Sequence, residues 1–253
     1  MRLLVVNPNT TASMTRDIAT AARRYAHPGT EIEAISPAWG PASIESHVEE
    51  ELAAVATLET IAARADDVDG IAIACYGDPG LYAARELVDV PVVGIAEASM
   101  LLAVTVAHRF SIVSALERSR PLIEDVVRRY GLQDRCASVR TTPLAVLEIE
   151  RDAEAAEREI VAAARRAVAE DGAEAICLGC AGMGPLDKRV QESVGVPVVD
   201  GVAAAVKLLE GIVGYGLTTS RAAAFRTPSG KLLRGESTAV SALGRRLGER
   251  GDD

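Results

Sequence analysis

At 253 residues, the chain is long enough for one large domain or for two small α/β lobes with hydrophobic cores. Its hydrophobic fraction of 49% and charged fraction of 25% are ordinary for a soluble globular protein. The net charge of −9 argues against a nucleic-acid-binding surface, and no apolar run approaches the roughly 20 residues of a membrane span. Four cysteines without a secretion signal favour free thiols, so we expect a cytoplasmic protein.

The first part of the chain alternates strand and helix patterns. The apolar run Leu3–Val6 predicts a parallel strand buried on both faces, and the turn Asn7–Thr11 leads from it into a helical pattern that includes Tyr25. Such a helix start offers free N–H groups to an anion or a carbonyl oxygen, although a threonine there can also simply cap the helix. Glu31–Ile35 alternates as a second strand, and the loop after it holds Trp39, for which we consider both a pocket role and simple packing.

The same alternation continues along the rest of the chain. Apolar residues at helical spacing mark the next helix, namely Val48, Leu52, Val55 and Leu58. Further strands are predicted before Cys75, at Val90–Ile95, Arg109–Ser114, near Ala137–Thr141, before Cys180 and at Val196–Val199, and further helices through Leu122 to Gly131, over Glu150–Asp171 with Gly172 as its stop, and after Gly201. This order predicts parallel sheets with crossover helices in two tightly docked lobes. The polar tail from about Thr227 predicts a surface extension or a partly disordered segment.

One stretch of the sequence occurs twice. Ile71-Ala-Ile-Ala-Cys-Tyr-Gly-Asp-Pro-Gly-Leu81 aligns with Ile176-Cys-Leu-Gly-Cys-Ala-Gly-Met-Gly-Pro-Leu186, so that Cys75 matches Cys180 at an offset of 105 residues. Each copy is a short apolar run, a cysteine, a glycine-bearing turn and a predicted helix, and the run Val-Pro-Val-Val follows both copies. An internal duplication of this kind places one thiol in each half. We infer that the two thiols face each other across a cleft.

A single cysteine after a strand is more often an inert core residue than a reactive one. Two cysteines at corresponding positions are harder to attribute to packing, because each follows the carboxyl end of a strand, where open α/β sheets build their sites. The turn after each cysteine supplies N–H groups and a helix start that we expect to lower the thiol pKa. Cys75 and Cys180 are therefore the candidate catalytic pair, whereas Cys177 is expected in the core and Cys136 has no evident partner.

The residues of these turns allow two interpretations. Asp78 before Pro79 fits a helix N-cap followed by proline at the first helical position, and it also fits a substrate contact. Gly77 and Gly182 are expected to supply backbone freedom and a close approach to a ligand.

Residues for cofactor or metal chemistry are sparse. The histidines His27, His47 and His108 lack metal-ligand spacing, so we expect no metal. There is no glycine-rich dinucleotide fingerprint, no P-loop and no lysine in a site-like turn, so we expect no cofactor. Two thiols alone suit proton transfer at carbon, because a thiolate can remove a proton from one face of a stereocentre while a thiol returns one to the other. Turn N–H groups would stabilise the enolate formed between the two steps.

Four motifs lie between Leu4 and Met183: Leu4-Val-Val-Asn-Pro-Asn-Thr10, Ala74-Cys-Tyr-Gly-Asp-Pro-Gly-Leu81, Pro91-Val-Val-Gly-Ile-Ala-Glu-Ala98 and Leu178-Gly-Cys-Ala-Gly-Met183. Together they resemble the hydantoin racemase family, which belongs to the aspartate/glutamate racemase superfamily of cofactor-independent two-cysteine enzymes. Many relatives have phenylalanine after the first cysteine, where this chain has Tyr76, so the added hydroxyl bears on pocket polarity and substrate preference.

The resemblance implies an α/β fold of two pseudo-symmetric, Rossmann-like lobes with parallel sheets and a catalytic cleft between them. The first lobe would comprise residues 1–97 and about 207–253, with the C-terminal helix crossing back onto it, and the second would comprise residues 98–206. The resemblance also implies that Cys75 and Cys180 are the catalytic thiols. The expected substrate-binding residues are Asn9, Thr10, Ile44, Tyr76, Gly77, Asp78, Ala181 and Gly182, with Trp39 and Tyr82 as further candidates for the pocket wall.

The activity that the resemblance implies is racemisation of 5-substituted hydantoins, whose ring hydrogen is acidified by the adjacent carbonyl. Allantoin, a hydantoin that carries a ureido group, is the alternative substrate. Racemisation of an acidic amino acid or isomerisation of a diacid would need cationic groups in the site and is less favoured, as is a non-catalytic ligand-binding protein that uses the same cleft. We expect a small-molecule substrate, no nucleic-acid or membrane partner, and a homo-oligomer.

Overall fold

Residues 1–229 are described in the computed structural model of the protein, and they contain two four-stranded parallel sheets with helices between the strands. The strands are β1 (Arg2–Val6), β2 (Glu31–Ile35), β3 (Gly70–Ile73), β4 (Val92–Gly94), β5 (Phe110–Ala115), β6 (Cys136–Thr142), β7 (Ala175–Leu178) and β8 (Val198–Asp200). The helices are α1 (Ala12–Tyr25), α2 (His47–Arg64), α3 (Leu81–Leu87), α4 (Ile95–Val106), α5 (Arg120–Arg129), α6 (Val146–Arg151), α7 (Ala153–Asp171), α8 (Asp187–Val194) and α9 (Gly201–Gly214). Short 3₁₀ helices lie at Ala65–Asp67, Glu117–Ser119 and Ala181–Leu186.

The two sheets have the same topology. The first has the strand order β2-β1-β3-β4 and the second the order β6-β5-β7-β8, and each adjacent pair is parallel. The duplication in the sequence is therefore a duplication of the fold, with β1 corresponding to β5 and β3 to β7. The predicted α/β class, with two pseudo-symmetric lobes built on parallel sheets, is confirmed.

The central strands are covered on both faces, which explains their continuous apolar sequences. Four of the five residues of β1 and the whole of β5 are buried. Two serines interrupt the apolar run of β5, and both have partners: the Ser111 hydroxyl lies 2.8 Å from that of Ser138, and Ser114 donates to the Gly179 carbonyl at 2.9 Å. These bonds remove the cost of burying a polar group in the sheet.

The predicted helix Glu150–Asp171 is two helices rather than one. The break lies at Asp152, whose side chain accepts a hydrogen bond from the Ala155 N–H at 2.9 Å and so caps α7. The other end of α7 is as predicted, because Gly172 adopts a φ of 73° there and ends the helix.

The first half of helix α2 has its larger apolar residues on the outside, whereas Ile61 near its end is buried. Its exposed apolar residues are Val48, Leu52 and Val55, at 71%, 48% and 38% exposure. Small residues such as Ala53 and Ala56 face the interior instead. They allow the helix to pass close to the first cysteine turn, where a Cβ at Gly80 would lie 3.3 Å from the Ala54 carbonyl oxygen.

The C-terminal helix α9 joins the two lobes. Its first residue, Gly201, packs so closely on α4 that a Cβ there would come within 2.9 Å of the Ile95 Cβ. Further along α9, Leu209 would lie 3.1 Å from a Cβ at Gly70 in β3, so the helix packs on the first sheet. The predicted domain boundaries stay a prediction, and most of the polar tail lies outside the described residues. No helix within residues 1–229 is both long and apolar enough to cross a membrane.

Candidate active site

The two repeated cysteines occupy corresponding places in the two lobes. Cys75 lies two residues after β3 ends, and Cys180 lies two residues after β7 ends, so each follows the carboxyl end of a strand beside the central one. Both thiols are partly exposed, and both line one pocket of about 660 Å³, a volume that includes the space at its mouth.

Both halves of the chain contribute to the wall of this pocket. From the first half come Asn9, Met14, Ile44, Glu45, Glu50, Ala74, Cys75, Tyr76 and Gly77. From the second come Ser114, Ala115, Ser119, Leu122, Ile123, Val146, Gly179, Cys180 and Ala181. The carboxylates in this wall are on the side of the first half, whereas the second half supplies hydroxyls, thiol and apolar groups.

Burial raises the pKa of the Cys75 thiol to about 12. The Gly77 backbone N–H donates to the sulfur and acts in the opposite direction, while the charges of Cys180, Glu50 and Asp78 add to the increase. The turn N–H group thus lowers the pKa of Cys75 as expected, although the net pKa is raised. The turn does supply an N–H group, but desolvation in the pocket outweighs it.

The turn after β1 holds Asn9 in a fixed position. Asn9 is only 5% exposed, and its amide oxygen accepts hydrogen bonds from the Asn7 side chain and the Thr11 N–H, both at 2.9 Å. Its amide nitrogen points to the Met14 sulfur at 3.0 Å. Because these bonds fix the side chain before any ligand arrives, Asn9 forms a rigid part of the pocket wall.

Thr10, which we expected to contact substrate, lies outside the pocket wall. Its N–H and its hydroxyl both donate to the Pro41 carbonyl, at 2.9 and 3.3 Å, and the Thr11 hydroxyl donates to Ala42 at 2.7 Å. These bonds anchor the loop after β2. The anchored loop carries Ile44 to the pocket, as the sequence predicted, together with Glu45.

Glu45 links the two lobes at this pocket. Its carboxylate accepts a hydrogen bond from the Val146 N–H at 3.0 Å, at the start of α6. Glu45 and Val146 both line the pocket, so this bond ties the loop of the first lobe to the second lobe across the site.

Of the residues after Cys75, Tyr76 and Gly77 lie in the wall but Asp78 does not. The Tyr76 side chain is 3% exposed and its hydroxyl lies 2.9 Å from that of Ser99, so the added hydroxyl is bonded within the protein. Asp78 is fully buried with a φ of 48°, and its carboxylate accepts from two N–H groups at the start of α4 and from the Tyr130 hydroxyl. It therefore caps a helix, as one interpretation had it, but that helix is α4 rather than α3. Desolvation raises its pKa to about 7.

Three further candidates do not line the pocket. Gly182 is outside the wall, although its predecessor Ala181 is part of it. The Trp39 indole N–H donates to Glu59 at 2.7 Å on the surface, and Tyr82 packs edge-on against Tyr130. Trp39 and Tyr82 are thus not pocket residues. Among residues 1–229, no group of three or more His, Cys, Asp or Glu side chains is arranged to hold a metal ion.

Sequence reasoning missed most of the second half's wall. Ser114 could have been found, because it is the counterpart of Asn7 in the duplication: Val113 pairs with Leu178 as Val6 pairs with Ile73. Leu122 and Ile123 read as ordinary apolar residues of a helix. Glu50 carried no signal, because it stands in a charged stretch at the start of a helix, where side chains are usually solvated.

Comparison with known proteins identifies the family. A family model described as Asp/Glu/Hydantoin racemase matches residues 3–209. The chain is 48% identical over 232 residues to the hydantoin racemase of Pseudomonas sp. (strain NS671), which covers 91% of this chain and 93% of that protein. Two solved allantoin racemases each give a TM-score of 0.91. The enzyme from Klebsiella pneumoniae is 46% identical, and the match covers 95% of this chain and 98% of that one. The enzyme from Pseudomonas fluorescens is 47% identical, and the match covers 93% of this chain and 100% of that one.

The family match covers both lobes and both cysteine turns, and the two structural matches extend over nearly the whole of each chain. The resemblance inferred from the four sequence motifs is therefore confirmed. The chain belongs to the Asp/Glu/hydantoin racemase family and is an isomerase of the racemase type.

Proposed function

We propose that this protein racemises 5-substituted hydantoins without a cofactor, using Cys75 and Cys180 as paired acid and base at C5. The observation that carries the proposal is the meeting of the two repeated thiols in one pocket, one from each pseudo-symmetric lobe. Two groups on opposite sides of a planar carbanion are what inversion of a stereocentre requires.

The reaction needs no redox partner. The C4 carbonyl acidifies the C5 hydrogen, one cysteine takes that proton as a thiolate, and the electron pair moves into the ring as an enolate. The other cysteine then gives its proton to the opposite face of C5 and becomes the thiolate. N–H groups of the turns after the cysteines are assigned to the developing oxyanion. Each turnover leaves the thiol and thiolate exchanged, so the reverse reaction uses them in opposite roles.

Cys75 is assigned as the thiol at rest. Burial raises its pKa to about 12, so the neutral form dominates near pH 7 in the unliganded site. Cys180 is then the first base, and it acts on the enantiomer whose C5 hydrogen is directed towards it. One enantiomer therefore meets a thiolate in the resting enzyme, whereas the other requires the proton to move from Cys75 to Cys180 first.

Hydantoins with apolar 5-substituents are the substrates that the wall favours. Leu122, Ile123, Val146 and Ile44 give it a mainly hydrocarbon lining, suited to an alkyl or arylalkyl group. None of the described residues in the wall is Lys or Arg, which speaks against the second carboxylate of an acidic amino acid or a diacid. Allantoin is the second candidate, because Glu45 and Glu50 in the wall could accept hydrogen bonds from its ureido N–H groups.

Polarimetry on two substrates tests this proposal. We expect the wild-type protein to abolish the optical rotation of L-5-benzylhydantoin faster than that of (S)-allantoin. Faster loss of rotation with allantoin would reverse the order of the two candidates, and no turnover of either would reject the substrate class. Cys136→Ser serves as the control, because Cys136 is a partly exposed thiol outside the pocket wall, and it should keep the wild-type rate.

A further inference from the structure

The Glu50 carboxylate lies directly against the first cysteine turn. Glu50 is in the first turn of α2 and is part of the wall of the cysteine pocket. A Cβ at Gly77 would lie only 2.7 Å from Glu50 Oε1, so the missing side chain of Gly77 is what gives the carboxylate its room. Gly77 follows Cys75 by two residues and also lines the pocket.

This carboxylate has no hydrogen-bond donor among the residues that the structure describes. Neighbouring glutamates differ: Glu45 accepts the Val146 N–H at 3.0 Å, and Glu49 accepts the Glu45 N–H at 2.8 Å. Desolvation raises the pKa of Glu50, and the charges of Arg129 and His47 oppose that increase without donating a hydrogen bond to the carboxylate. A half-buried acceptor without a donor costs free energy that a bound N–H group would recover.

The position of Glu50 also opposes the proposed chemistry in the empty site. Its negative charge is one of the factors that raise the pKa of the Cys75 thiol and so disfavour the thiolate. A ligand N–H bonded to Glu50 would offset part of that charge. A substrate with N–H donors would therefore reduce both the cost of the unpaired Glu50 carboxylate and its effect on the pKa of Cys75.

We propose that Glu50 is the residue that recognises the substrate as a cyclic ureide, by accepting a ring N–H in a charge-assisted hydrogen bond. The inference rests on the proposed function and names the chemistry that selects its substrates. The bond orients the ring so that C5 is presented to the sulfurs, while an acid substrate is repelled by the same carboxylate. Glu50 is thus a binding and specificity residue rather than an acid or base in the reaction.

The test combines protein variants with methylated substrates. Glu50→Ala should raise KM for 5-benzylhydantoin on the order of 10- to 100-fold with a smaller change in kcat, since hydrogen bonds to charged groups have about that strength. Glu50→Gln keeps an acceptor oxygen without the charge, so its KM should lie between those of the wild-type protein and Glu50→Ala. Glu51→Gln, an exposed neighbour on the same helix outside the cysteine pocket, should leave KM unchanged.

Methylation of the substrate removes the donor instead of the acceptor. Either the N1-methyl or the N3-methyl analogue should bind the wild-type protein more weakly by a factor similar to that of Glu50→Ala, and should bind Glu50→Ala no more weakly than the parent hydantoin. The effects of Glu50→Ala and of N-methylation would then not add, because both remove the same hydrogen bond. A general loss of structure in the variant would leave the two effects additive. Unchanged KM in Glu50→Ala, or additive effects with both analogues, would overturn this inference alone. Absence of wild-type turnover would overturn the proposed function and the inference with it.

Discussion

Each lobe has a buried carboxylate at the start of the helix that follows its fourth strand, but the two carboxylates belong to different segments of their lobes. In the first lobe Asp78, in the cysteine turn, accepts two N–H groups at the start of α4. In the second lobe Asp200, at the end of β8, accepts two N–H groups at the start of α9. Each lobe thus fixes the helix after its fourth strand with a carboxylate that also touches the cysteine turn.

A glycine lies opposite each carboxylate. In the first lobe the glycine is at the end of the fourth strand and the aspartate is in the cysteine turn, whereas in the second lobe these two positions are reversed. Gly94, at the end of β4, would bring a Cβ within 2.1 Å of the Asp78 carboxyl carbon. Gly184, in the second cysteine turn, would bring one to 3.0 Å from Asp200. The duplicated fold therefore keeps the contact between turn and helix while the acid and the glycine change sides. A repeat of backbone geometry does not require a repeat of residues.

The pocket differs between the lobes in its charges as well. The first lobe contributes Glu45 and Glu50, whereas the second contributes hydroxyls and apolar groups around Cys180. Two thiols at equivalent backbone positions thus have unequal electrostatic surroundings. If both cysteines act as bases, this inequality should be measurable for each face of the substrate.

The largest effect is expected from replacing each cysteine and following exchange in D₂O. Cys75→Ser and Cys180→Ser should each slow racemisation of 5-benzylhydantoin by about 10³-fold or more, because proton transfer by a positioned group contributes on that scale. In Cys75→Ser, the remaining Cys180 can remove and return hydrogen on one face, so one enantiomer should still exchange its C5 hydrogen without inversion. Mass spectrometry and chiral chromatography measure the two processes separately.

The asymmetry predicts unequal exchange in the two cysteine variants. Cys180→Ser leaves only Cys75, whose pKa is raised to about 12, so its exchange near pH 7 should be at least about 10-fold slower than that of Cys75→Ser. Equal exchange in both variants, each with its own enantiomer, would remove the electrostatic difference between the lobes. Full racemisation by either variant would reject the two-base scheme.

The raised pKa values of the buried Asp78 and Asp200 predict a dependence of stability on pH. Burial raises the pKa of Asp78 to about 7, from an ordinary 3.8, so the folded state holds this proton more tightly than the unfolded state. Its contribution to stability is therefore complete below about pH 4 and is lost as the pH rises towards 7, at up to about 1.4 kcal/mol per pH unit. Asp78→Asn cannot titrate, so chemical denaturation should show a shallower fall of its unfolding free energy over this range.

Asp200→Asn provides the matched comparison for this prediction. The pKa of Asp200 is raised to about 6, chiefly by desolvation, so its share of the fall should end at a lower pH than that of Asp78. Parallel curves for the wild-type protein and Asp78→Asn would show that the carboxylate is ionised throughout. Both variants are expected to lose stability at every pH, so the test compares only the slopes of the unfolding free energy against pH.

Sequence patterns predicted the parts of the fold that depend on local periodicity and on the duplication. The strands ending near both cysteines follow from apolar runs and from the repeat, and so does the meeting of Cys75 and Cys180 in one pocket, since equivalent strand ends of two similar lobes were expected to face each other. The end of α7 at Gly172 follows from the need for a left-handed residue. These features depend on few residues close in sequence.

The features that could not be predicted depend on contacts between distant segments. Asp78 precedes a helix and looks like its cap, but the start of α4, 18 residues later, offers its carboxylate buried N–H groups instead. Glu50 looks solvated because only the fold brings Gly77 beneath it. The outward stripe of α2 likewise follows from the close approach of the cysteine turn, which selects small residues for the inner face.

A further comparison of the two lobes comes from filling the space beside each carboxylate. Gly94→Ala puts a methyl group into a fully buried carboxylate that three hydrogen bonds hold in place, so we expect a loss of roughly 3 kcal/mol in the free energy of unfolding. Gly184→Ala meets Asp200 at 3.0 Å and should lose only about 1 kcal/mol, because a shift of a few tenths of an ångström relieves it. Gly211→Ala, inside α9 with nothing within 4 Å, is the control and should gain up to about 1 kcal/mol from helix propensity. Urea denaturation measures the free energy of unfolding of all three variants. Equal losses at positions 94 and 184 would mean that Gly94 packs on Asp78 as closely as Gly184 packs on Asp200. The two lobes would then differ only in which segment supplies the carboxylate.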